Sequence, residues 1–98
     1  MSPSIPDHSL ELRTEVTPDA TVRLYLEEVD VPQPAEGQVL VRVEAAPINP
    51  SDLGLLLAGA DPATLKAEGT PERPVLTATL PPAVFRAMTA RVGQSMPA

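Results

Sequence analysis

The stretch LELRTEVTPDATVRLYLEEVDV, residues 10–31, governs how the rest of the chain is read. Its opening alternates strictly. Leu10, Leu12, Thr14 and Val16 fall on one face, and Glu11, Arg13 and Glu15 on the other. Successive side chains of an extended chain point to opposite sides, so this pattern predicts a half-buried strand. TPDA at 17–20 sets a proline at the second position of a turn with an aspartate behind it. Alternation then resumes with Val22, Leu24 and Leu26 on one face. Past Glu27 and Glu28 the apolar positions become Val29 and Val31, so the phase slips. A β-bulge at Glu27-Glu28 would produce that slip. Two strands joined by a short turn predict an antiparallel hairpin.

On the N-terminal side, residues 1–9 are polar with two prolines and predict a flexible lead-in, in which His8 is a surface residue. On the other side, PQPAEGQ at 32–38 is a connector too rich in proline to continue a ladder. VLVRVEAA at 39–46 predicts a third strand. Val39, Val41, Val43 and Ala45 share one face; Leu40, Arg42 and Glu44 share the other, and the two charges are expected in water. Asn49-Pro50-Ser51-Asp52 then reads as a helix start. Asn49 suits the N-cap, Pro50 the first helical position, and Asp52 the positive end of the helix dipole. Leu53, Leu55, Leu56 and Leu57 follow, and Gly59 suits the C′ position.

The same punctuation recurs downstream. Asp61 caps, Pro62 opens, and a second helix is expected to run to Gly69. TPERP is a loop, VLTATL at 75–80 is a strand or extended segment, and PPAVFRAMTARVG at 81–93 predicts a third helix. The apolar stripe of that helix is Val84, Phe85, Met88 and Val92. QSMPA at 94–98 shows no structural closure of its own. The expected organisation is therefore a lead-in over 1–9, strands and a first helix over 10–59, and short helices with loops over 60–98. The fold class is mainly β with short helices, an α+β chain.

Composition narrows function by exclusion. The chain has 98 residues and a net charge of −6, with only seven Lys and Arg. Scattered basic residues cannot neutralise a phosphate backbone, so nucleic acid is not an expected partner. The same acidity disfavours anionic membrane surfaces, and no apolar run approaches the length of a membrane span. Cysteine is absent, which removes disulfides and thiolate metal ligands. One Phe, one Tyr and no Trp leave little aromatic material for a core. No basic, apolar leader opens the chain, and the expected compartment is the cytoplasm.

No general catalytic motif emerges. GLLLAG at 54–59 lacks the Lys and Ser or Thr of a phosphate loop, and no Gly-x-Gly-x-x-Gly occurs. Glu27 and Glu28 are strand neighbours and point to opposite faces, so they cannot act on one substrate.

Three runs together nevertheless resemble a known family. They are LYLEEVDVPQP at 24–34, AEGQVLVRVEAA at 35–46, and INPSDL at 48–53. In this order and spacing, residues 22–59 resemble the opening of the medium-chain dehydrogenase/reductase superfamily, and in particular its zinc-independent, quinone-oxidoreductase-like members. The resemblance covers about two-fifths of the chain. It implies a GroES-like domain, here a partial β-barrel incomplete at its C-terminus. It also implies hydride transfer from NAD(P)H to a quinone, enone or other carbonyl acceptor in an intact enzyme. In zinc-dependent relatives a cysteine ligand stands where this chain has Asn49, and an amide is a poor zinc ligand, so no metal is expected. Asn49, Ser51 and Asp52 are the implied catalytic residues, Asn49 also lies against the nicotinamide, and Ile48 and Leu53 pack beside them. A helix N-terminus aimed at the reaction site suits an oxygen that gains charge as hydride arrives.

The family continues with a Gly-x-Glu-Gly-x-Gly stretch and a Rossmann domain, neither of which this sequence contains. Residues 60–98 resemble an insertion in place of a shorter loop. The expectation is an N-terminal fragment that binds no cofactor and is inactive by itself. Two other readings stay open: a non-catalytic interaction module whose open strand edges pair with a complementary fragment or another copy, and a chain largely disordered when alone.

Overall fold

The computed structural model describes residues 5–47 and 49–98. Its centre is the hairpin. β1, His8–Val16, pairs antiparallel with β2, Thr21–Asp30, in a register that runs from His8 opposite Asp30 to Val16 opposite Val22. The turn closes through Thr17 N–H donating to the Thr21 carbonyl at 2.8 Å, with Ala20 in the left-handed region at φ 62°.

The bulge expected at Glu27-Glu28 is absent, because the ladder runs unbroken through both residues. The apolar phase slips for another reason. The outer end of the hairpin lies beyond the core, where Leu10, Leu12, Glu27 and Glu28 are all exposed, so no face there demands an apolar residue.

Both edges of the hairpin are filled from the C-terminal half. A 3₁₀ turn, Pro62–Thr64, precedes β3, Lys66–Gly69, and β4, Pro74–Thr79. β4 pairs with β2, and β3 with β4, both antiparallel. The two-residue β5, Met96–Pro97, pairs with β1. The result is one open five-stranded antiparallel sheet in the order β3-β4-β2-β1-β5. Among the described residues the protein is mainly β, with two short helices, α1 over Pro50–Leu57 and α2 over Pro82–Ala87.

This arrangement corrects three expectations. Residues 39–46 form no strand: β4 and β5 already flank the hairpin, and among the described residues no backbone group of 39–46 is hydrogen-bonded. The helix expected from Asp61 to Gly69 stops after one turn. Asp61 does cap it, accepting from Ala63 N–H at 3.0 Å, but Gly69 at φ 79° closes a β-turn to β4. And 94–98 does have closure, through β5. Arg13 secures it, donating to the Ser95 carbonyl at 2.8 Å and to Ser95 Oγ at 3.1 Å. VLTATL is a strand, as one of its two readings had it. The third helix divides at Met88 into α2 and a 3₁₀ turn, Thr89–Arg91.

The core sits at the turn end of the sheet. Val16, Val22 and Ala78 lie side by side across β1, β2 and β4, because Val16 faces Val22 and Val22 faces Ala78. All three are buried, with Ala60 and Leu80. The expected stripe of Val84, Phe85, Met88 and Val92 packs over them, with Leu57 from α1. Each fully buried valine or leucine side chain stabilises the fold by about 1.5–3 kcal/mol. One row further out, Thr14 and Leu24 remain buried while Leu76 is partly exposed.

Candidate functional site

The corner singled out by sequence is the start of α1. Asn49 is the N-cap, with extended backbone at φ −112° and ψ 151°, and Pro50 is the first helical residue. Asp52 reaches back: its Oδ2 accepts from Asn49 N–H at 2.8 Å, while Asp52 N–H donates to the Asn49 carbonyl at 2.9 Å. The carboxylate thereby satisfies a backbone donor that would otherwise be left orphaned at the helix end. Ala58 takes the left-handed C-cap conformation and Gly59 follows at φ 83°. The local reading of this segment therefore holds from cap to terminating glycine.

Asn49 and Ser51 are exposed, and Asp52 is half-buried. The three are gathered on the first turn by sequence adjacency. Leu53 beside them is largely exposed, and Ile48 lies outside the described residues. Neither of the two hollows described on the surface is lined by Asn49, Ser51 or Asp52. Among the described residues, no three His, Asp or Glu side chains converge as a metal site, and no helix is long and apolar enough to cross a membrane.

The larger hollow is an open groove of about 560 Å³ on the polar face of the sheet. Arg23 on β2, Thr77 on β4 and Lys66 on β3 form one cross-strand row, since Arg23 faces Thr77 and Thr77 faces Lys66. Asp19 and Glu68 also line it, so two cations and two anions balance. Arg23 lies over the Tyr25 ring at 4.1 Å. The hydroxyl and carboxylate that meet in it, Thr17 and Asp19, are hydrogen-bonded to each other within the turn of the hairpin. Sequence reasoning did not find it, because it exists only once β4 lies between β2 and β3.

Asp19 has a lowered pKa, below its ordinary 3.8, chiefly because the Thr17 hydroxyl donates a hydrogen bond to its carboxylate. A carboxylate whose pKa is lowered by folding stabilises the fold above its unfolded value, and that contribution is lost as pH falls through the lower folded value. Thr17→Val should therefore move the Asp19 titration up towards 3.8. The stability gap between the two proteins should narrow as pH drops below that value. An NMR titration in which Asp19 titrates alike in both proteins contradicts this origin of the shift.

Several other surface charges are paired structurally. His8 Nδ1 lies 3.0 Å from Asp30 Oδ1, so the histidine belongs to β1 and not to a loose lead-in. Glu27 and Glu28 are held apart: Glu27 meets Arg13 at 3.3 Å and Glu28 meets Arg73 at 3.5 Å.

No protein-family model matches the chain, and no curated protein matches it.

Proposed function

We propose that this chain is the N-terminal part of a zinc-independent, NAD(P)H-dependent oxidoreductase with a GroES-like domain. The intact enzyme transfers hydride from the nicotinamide to a quinone, enone or related carbonyl acceptor in the cytoplasm. The observation that carries the reading is the ordered run of three motifs, LYLEEVDVPQP, AEGQVLVRVEAA and INPSDL, whose last member coincides with a helix beginning at Pro50. Asn49 and Ser51 are exposed at that helix N-terminus, where partial positive charge favours an oxygen that becomes anionic. The nicotinamide supplies the hydride when bound. The chain's own residues have positioning roles: Asn49 beside the ring and acceptor, Ser51 as a hydroxyl donor, and Asp52 as the brace that holds the cap.

The test is recovery of the native protein from its source cells with an antibody against residues 24–34. The reading expects NAD(P)H-dependent quinone or enone reduction in the recovered material. Efficient recovery without such activity contradicts it.

In the active protein, Asn49→Ala should lower turnover by about tenfold or more through lost positioning. Its effect on stability should be at most about 1 kcal/mol, because the bond to Asp52 uses the Asn49 backbone N–H, which alanine keeps. Turnover unchanged alongside a lowered melting temperature would reduce Asn49 to a cap.

A further inference from the structure

Residues 39–46, VLVRVEAA, have the composition of a strand but lie outside the sheet. Val39, Val41 and Val43 are 82%, 70% and 77% exposed. Arg42 and Glu44 are exposed too, and neither forms an ion pair among the described residues. A β-branched stretch with its backbone groups unused is a template for another strand.

Its charges select the partner. Laid antiparallel on itself about Val43, the stretch sets Val43 opposite Val43 of the second copy. Arg42 then faces Glu44 of the second copy, Glu44 faces Arg42, Val41 faces Ala45, and Leu40 faces Ala46. Both charge pairs are opposite in sign, and Val41, Val43 and Ala45 gather on one face. The neighbouring registers fail. Centring on Arg42 or on Glu44 brings like charges together, and a one-residue slip mixes the apolar and charged faces. A parallel in-register pair also stacks Arg42 on Arg42. We propose that residues 39–46 form a two-fold antiparallel strand pair with a second copy of this chain. The interface is isologous, so each substitution acts twice. The inference does not rest on the oxidoreductase reading.

A two-stranded ribbon is marginal in water, so the association is weak and concentration-dependent. Sedimentation equilibrium of the full chain, in a concentration series reaching the millimolar range, tests it. The parent should move from 10.3 kDa towards twice that mass. Arg42→Glu and Glu44→Arg should each weaken the dimer by about thirty-fold, since two attractive cross-strand pairs become repulsive. The combined variant, Arg42→Glu with Glu44→Arg, should restore it. One single variant makes the chain more acidic and the other less, so a general charge effect would move them in opposite directions. Both substitutions lie outside the sheet and should leave the melt unchanged. A parent that stays monomeric throughout overturns the proposal. So does a dimer indifferent to the single variants, or a combined variant as weak as either single one.

Discussion

Leu80→Ala should lower the unfolding free energy by about 3 kcal/mol, within the range for large-to-small changes in a closed core. Leu80 is 2% exposed and sits where β4 hands over to α2, against Val16, Val22 and Ala78. Its N–H donates to the Ala20 carbonyl at 2.7 Å, so the same residue ties β4 to the turn of the hairpin. The core has five fully packed residues and one phenylalanine at its margin. A cavity in so small a cluster has few neighbours able to collapse into it. A domain of this size has a total stability of about 5–15 kcal/mol, so the variant loses between about a fifth and three-fifths of it. Urea unfolding with an unchanged slope and a lower midpoint is the expected result. A loss below about 1 kcal/mol would mean that Leu80 does not occupy the core.

Gly69→Val should remove β3 from the sheet at a cost of about 2 kcal/mol or more. Gly69 has φ 79°, a conformation that a β-branched residue adopts only under strain. Space is a second obstacle. A Cβ at this position would run into the Arg73 carbonyl oxygen and lie 3.2 Å from Val75 N and 3.3 Å from Val75 Cγ2. Two of those three atoms are backbone and cannot turn aside. The hairpin they belong to is closed by Arg73 N–H donating to the Thr70 carbonyl and hydroxyl, both at 3.1 Å. Amide exchange should show protection lost over 66–69 and reduced over 74–77, while the β1–β2 hairpin stays protected. Lys66 then leaves the groove beside Thr77. A variant with the parent's exchange pattern and melt would contradict this account of the turn.

The elements written plainly in the sequence are those set by neighbours along the chain. The alternation from Leu10 to Val16, the Pro18-Asp19 turn, the Asn49-Pro50 start of α1 and its Gly59 end all depend on residues a few positions apart. The stripe of Val84, Phe85, Met88 and Val92 is legible for the same reason. What periodicity does not contain is the choice of neighbours for the hairpin. Residues 39–46 carry a stronger strand pattern than KAEG at 66–69, yet the latter enters the sheet and the former does not. Gly69 and the Thr70 to Arg73 turn deliver β3 beside β4, whereas 39–46 is followed by a helix start and no returning strand. β5 is equally invisible beforehand, because two residues carry no period and their attachment comes from Arg13, far away in sequence.

The candidate site divides along the same line. The cap geometry of Asn49 and Asp52 follows from spacing alone, and the structure adds that Asp52 is engaged with the Asn49 backbone. The row of Arg23, Thr77 and Lys66 comes from three strands whose order had first to be known.

The proposed function is decided by the intact mass of the native protein in its source cells, followed through a peptide such as LYLEEVDVPQPAEGQVLVR, residues 24–42. A mass several times 10.3 kDa is the result expected of the N-terminal part of a two-domain oxidoreductase. A native species of 10.3 kDa would contradict it, since that chain carries no cofactor domain to supply the hydride.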